Sequence, residues 1–141
     1  MRTALVLSSL LVPFIAGGCG NKSAHGPTQT CGDIAGWHVC TAGAVQDGDH
    51  ARVSYTFTRK STAKAVMYLD FALWTADKQR NPMDRDATND AFYAGLETCS
   101  QSGDDAGDKI SCVVVFQAPA GTKGMYAEVS NIAGEQVLLA L

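Results

Sequence analysis

From residue 53 to 58 the chain alternates: Val53, Tyr55 and Phe57 fall on one parity, Ser54, Thr56 and Thr58 on the other. A period of two marks a strand with one buried and one wet face. Similar short runs recur, separated by Gly, Asp, Asn and Pro. Trp37-His38-Val39-Cys40 predicts a first strand ahead of an Asp47-Gly48-Asp49 turn. Residues 65–75 predict a longer strand with Met67, Leu69, Phe71 and Leu73 on one face; Val66, Leu69 and Leu73 also share a helical stripe, so this run fits a helix as well. Residues 110–116 carry Val113-Val114-Val115, and β-branched side chains favour a strand. Residues 125–130 and 135–141 read as strands joined by a hairpin-like Asn131-Ile132-Ala133-Gly134. A shorter piece is read over residues 92–98. About seven strands in roughly 110 residues, with no clear helix, predict an all-β fold: an immunoglobulin-like antiparallel β-sandwich.

The order of several short pieces is similar to that in a family of immunoglobulin-like bacterial cell-envelope lipoproteins of unknown function. Tyr55-Thr56-Phe57-Thr58-Arg59-Lys60-Ser61 resembles their early strand and polar turn. Phe71-Ala72-Leu73-Trp74-Thr75-Ala76-Asp77 resembles the next strand with its acidic turn. Gly107-Asp108-Lys109, followed by Val113-Val114-Val115-Phe116-Gln117-Ala118-Pro119, resembles the glycine–acid turn and the valine-rich strand after it. The resemblance spans about residues 53–119. It implies an envelope-anchored sandwich and transfers no catalytic residue.

The N-terminus changes the picture of where such a domain resides. Arg2 precedes 13 uncharged, mostly apolar residues, 4–16. A spanning helix needs roughly 20, and Pro13 interrupts a core helix, so the segment predicts an export signal over residues 1–18. Ala16-Gly17-Gly18-Cys19 resembles a lipobox, although Ala16 stands where Leu, Val or Ile is usual. The same residues fit ordinary small-x-small cleavage. Cysteine parity favours lipidation: of five cysteines, acylated Cys19 leaves the even set Cys31, Cys40, Cys99 and Cys112. An even set suits a disulfide framework in an exported domain. Three pairings are possible; the local ones, Cys31–Cys40 and Cys99–Cys112, are preferred, with a longer Cys40–Cys99 bridge as the alternative. Residues 19–30 are small and polar and read as a flexible tether to the membrane, leaving 31–141 as the domain.

Composition narrows the function classes. The 141 residues carry a net charge of −3, without the basic footprint of a nucleic-acid binder. Ser61-Thr62-Ala63-Lys64 matches the S-x-x-K of penicillin-binding enzymes, but S-D-N and K-T-G are missing from the chain. The match reads as a polar turn. His25, His38 and His50 show no paired metal spacing. Asp84, Asp86, Asn89 and Asp90 form a weak calcium candidate without the glycine and terminal acid of an EF-hand loop. Asp104, Asp105 and Asp108 form a second acidic turn. No cofactor is implied.

Among the aromatics Trp37, Tyr55, Trp74, Phe92, Tyr93 and Tyr126, most read as core. Trp74 has the opposite parity to Leu73, which makes it the first candidate for partner contact. These readings converge on a non-catalytic, lipid-anchored envelope module. Its partners are the membrane, through the anchor, and an unidentified protein, peptide or glycan. The alternative is a secreted inhibitor of an exported hydrolase that presents residues 79–83 as a loop.

Overall fold

A computed structural model describes residues 28–60, 69–99, 107–123 and 125–141. The signal segment, Cys19, His25, Ser61, Lys64, Met67, Asp104 and Asp105 lie outside the described residues. Eight strands and one helix follow in the order β1 (Cys31–Ile34), β2 (Trp37–Asp47), β3 (His50–Arg59), β4 (Leu69–Trp74), β5 (Arg80–Pro82), α1 (Arg85–Tyr93), β6 (Lys109–Gln117), β7 (Tyr126–Asn131) and β8 (Gln136–Ala140). They form two antiparallel sheets, β1-β2-β3-β6 and β5-β4-β7-β8. The chain crosses from β3 to β4, returns to place β6 beside β3, and crosses again to place β7 beside β4. These repeated crossings give the two-sheet, Greek-key connectivity of an immunoglobulin-like sandwich, with β1 added as an edge strand.

The alternation read at 53–58 governs the first sheet. Val53, Tyr55 and Phe57 are each at most 1% exposed, and so are Trp37 and Val39 on β2 and Val114 and Phe116 on β6. Phe71, Leu73, Ala127, Val129 and Leu139 complete the core from the second sheet. Aromatic rings meet across the interior: Tyr55 and Phe57 lie 5.2 and 6.4 Å from Phe71, and Trp37 is edge-on to Phe57 at 6.4 Å. The residue pairs 31/40 and 99/112 are disulfide-bonded, as the local pairing predicts. The first joins directly opposed residues of β1 and β2; the second ties the segment after α1 to β6.

Two departures from the expected elements have a common cause. Residues 92–98 do not form a strand: Phe92 and Tyr93 end α1, and the rest is loop apart from an isolated bridge from Thr98 to Val113. Helix α1, which the sequence reading missed, starts where Asp84 accepts a hydrogen bond from Ala87 N at 3.0 Å, a helix N-cap. Together with its flanks it covers the outer edge of β6. Asp84 N donates to Val115 O, Val113 N donates to Glu97 O, and Val115 N donates to the Thr88 hydroxyl at 3.1 Å. An open edge would template pairing with another chain; here a strand-like segment and a helix satisfy it. The same cover keeps Val115 only 7% exposed although its parity is that of exposed Lys109, Ser111 and Gln117.

On the opposite side the sheets are closed by β1. Gln29 O accepts from Ala140 N at 2.8 Å, and Thr41 Oγ1 donates to Ala140 O at 2.8 Å. Gly32 has no side chain because none fits: a Cβ there would meet Val137 Cγ2 at 2.2 Å.

Two substitutions test these closures by urea denaturation. Thr88→Val leaves the buried Val115 N–H unpaired and is expected to cost about 1–3 kcal/mol. Gly32→Ala is expected to cost about 1–3 kcal/mol through overpacking. Adding Val137→Ala should restore part of that loss; no coupling between the two would mean β1 does not press on β8.

Candidate binding surface

Strand β4 sends Leu73 inward, fully buried, and therefore Trp74 outward. Trp74 is half-buried and stands between two directly opposed neighbours, Arg80 on β5 and Tyr126 on β7. Its indole stacks on the Tyr126 ring, with centroids 5.9 Å apart and planes 6° from parallel. One position along β7, on the same face, lies Glu128. The indole Nε1 donates to Glu128 Oε2 at 2.6 Å. Arg80 donates from Nη2 to Oε1 at 2.8 Å and from Nε to both oxygens at 3.2 Å.

Glu128 is only 4% exposed although it lies on the outer face of the sheet. A buried carboxylate needs charge-assisted partners, and here it has a guanidinium and an indole. Burial is the largest influence on its pKa and pushes it upward. The hydrogen bonds from Arg80 and then Trp74, with the attraction of the Arg80 charge, outweigh burial and hold it below the ordinary carboxylate value. The hydrogen bond to Glu128 in turn raises the Arg80 pKa. Chemically, the carboxylate locks two long side chains in place. The product is a pre-set aromatic surface whose polar atoms engage one another.

Beside this row the β2–β3, β4–β5 and β6–β7 connections enclose a cleft of about 860 Å³. Asp49, Asp77, Gln79, Asn81, Gln117 and Lys123 contribute its polar lining. Thr75 Oγ1 donates to Asp77 at its rim, which tightens the β4–β5 turn.

Residues 79–83 are not an exposed loop: Arg80–Pro82 is strand β5, paired with β4, and Met83 N donates to Phe71 O. Asp84 is occupied as the α1 cap and lies 3.3 Å from His50 Nε2. Asp86, Asn89 and Asp90 are exposed on α1. Among the described residues, donor atoms of three His, Cys, Asp or Glu converge within 4.8 Å at Cys31, His38 and Cys40, and not at Asp84, Asp86 and Asp90. Asp108 is exposed, 3.8 Å from Arg59. Trp37 and Tyr55 are core residues, whereas Phe92 and Tyr93 are exposed on α1.

Sequence reasoning named Trp74 and Tyr126, put Arg80 in a separate loop over 79–83, and missed Glu128. A signal for Glu128 existed: Tyr126-Ala127-Glu128-Val129-Ser130 alternates, which sets Glu128 on the Tyr126 face. Arg80 gave none, since a three-residue strand is too short for a period. A search with the chain finds no matching family model, no matching curated protein and no matching solved structure.

The depressed Glu128 pKa predicts a pH dependence. A carboxyl whose folded pKa lies below its unfolded value contributes stability that is full above the unfolded value, near pH 4.5, and is lost as pH falls through the folded one. The urea midpoint of the native protein is therefore expected to drop on acidification below about pH 4.5. Glu128→Gln is expected to cost about 1–3 kcal/mol at neutral pH and to flatten the acid limb. Parallel acid limbs in both proteins would show that Glu128 is not the titrating group.

Proposed function

We propose that this chain is a non-catalytic interaction module of the cell envelope, exported and held to a membrane by lipid on Cys19. In this reading it contacts its partner through the outer face of the second sheet, at Trp74 and Tyr126. The observation that carries the proposal is the half-exposed Trp74–Tyr126 stack, fixed from beneath by buried Glu128. Aromatic side chains with a rigid pose are typical anchors of recognition surfaces, because little conformational entropy remains to be lost on binding. The two disulfides support an oxidising, extracytoplasmic compartment. Cysteine parity and the apolar N-terminal run support lipid anchoring. The partner is a protein, peptide or glycan.

Two measurements test the reading. Mass spectrometry of the protein extracted from membranes should give a chain that starts at Cys19 and carries diacylglycerol. A species that retains residues before Cys19, or has no lipid, would remove the anchor. For the surface, a photo-crosslinking residue at position 138, exposed and directly opposite Glu128, is expected to give a discrete adduct in intact cells, whose peptide or sugar content identifies the partner class. Trp74→Ala should reduce that adduct by more than about tenfold, in line with a buried aromatic anchor, while Trp74→Phe retains most of it. An adduct yield indifferent to Trp74→Ala would move the contact elsewhere.

A further inference from the structure

On the outer face of the first sheet, four donor residues occupy two directly opposed pairs at the β1–β2 edge: Cys31 opposite Cys40, and Asp33 opposite His38. The sulfur atoms and a ring nitrogen of His38 lie within 4.8 Å of one another. In the disulfide the two sulfurs bind each other and make poor metal ligands. As thiolates they complete a Cys₂His set, which with one open position suits tetrahedral Zn²⁺. We infer that the β1–β2 hairpin is a redox-gated zinc site, silent while Cys31 and Cys40 are joined and competent once they are reduced.

Three observations beyond proximity support this. First, the His38 ring is held by a carboxylate, as metal-binding imidazoles are: its Nδ1 lies 2.7 Å from Asp33 Oδ1. Asp33 is itself held by Lys60 Nζ at 2.7 Å on its other oxygen. Second, the hairpin does not rely on the disulfide for its position. β1 is paired with β2 over four residue pairs, Ile34 is buried, and Gly32 lies against Val137 of β8. The donors therefore keep their places when the bond opens. Third, access is selective. Cys31 and Cys40 are half-buried, whereas Cys99 and Cys112 are 6% and 3% exposed and, among the described residues, no histidine converges on them.

The chemistry balances with a dithiol as reductant. Thiolate attack on the Cys31–Cys40 bond and resolution of the mixed disulfide give two cysteine thiols and the oxidised cyclic reductant. Zinc then displaces one proton from each thiol. This site lies on the sheet opposite to the aromatic surface, so it does not depend on the function proposed for that surface.

The test uses the full chain, oxidised or reduced with a trialkylphosphine, which consumes one water and leaves as the phosphine oxide. Differential alkylation should show residues 31 and 40 as the reduced pair. Zinc binding, measured by competition with a chromophoric chelator, is expected at one ion per reduced chain and none per oxidised chain. Cys19 is present in every sample, so the difference reports on the hairpin. Co²⁺ in place of zinc should give a thiolate-to-metal charge-transfer band that the Cys31→Ser, Cys40→Ser double variant lacks. His38→Ala, at an exposed position, is expected to lower affinity more than tenfold, and Asp33→Asn by about 10–100-fold. Trp37, buried in the core, reports folding by its fluorescence. Equal zinc binding by oxidised and reduced chains, zinc retained by the double variant, or a reduced chain that binds none would each overturn the proposal.

Discussion

The structure depends on packing between two sheets that neither disulfide joins. Cys31–Cys40 lies within the first sheet, and Cys99–Cys112 ties a flanking segment to it. What holds the second sheet is burial: Phe71 set among Tyr55 and Phe57, with Leu73, Val129 and Leu139 beside it. Burying a large apolar side chain contributes about 1.5–3 kcal/mol, so this interface outweighs any single polar contact in the molecule. It also fixes register. A one-residue slip of β4 would place Trp74 in the core and Leu73 in water, and every neighbour on β7 would be mismatched.

Because the interface fixes parity, it also creates both outer faces. On the second sheet, parity sets Arg80, Trp74 and Tyr126 in one cross-strand row, with Glu128 one step along. On the first, parity sets Cys31 and Asp33 beside Cys40 and His38. In each case a carboxylate orients its neighbours. Glu128 is buried and braces an indole and a guanidinium; Asp33 is exposed and braces an imidazole and an ammonium. The two differ in what remains available. Around Glu128 the polar atoms are engaged and ring surface is left over. Around Asp33 a ring nitrogen and a reducible disulfide are left over.

The sheet edges show how the rest of the chain is used. A sandwich leaves four edge strands, each a hazard if unpaired. The outer edge of β6 is closed by Asp84, Thr88 and Glu97, and β8 is met by Gln29. β5 is three residues long and ends in Pro82, which cannot donate. The acidic residues from 84 to 90, which in sequence resemble a loose cation loop, belong to this edge system through the Asp84 cap.

The sequence by itself determined the sandwich and the parity of its main strands, and it favoured the local cysteine pairs and the outward direction of Trp74 over their alternatives. These follow from alternation within single segments, as in Val53-Ser54-Tyr55-Thr56-Phe57-Thr58, and from short separations along the chain. Helix α1 was legible only in part: an Asp N-cap was present at residue 84, but its hydrophobic stripe is weak because the helix covers an edge and does not fill a core. The tertiary structure alone decided that Arg80 and Glu128 meet across two strands, that Thr88 pairs with Val115, and that His38 stands over the Cys31–Cys40 bond. The physical reason is one of range. Burial and turn chemistry act on neighbouring residues and leave a periodic trace, whereas a hydrogen bond between residues 27 or 48 positions apart leaves none until the fold is assembled.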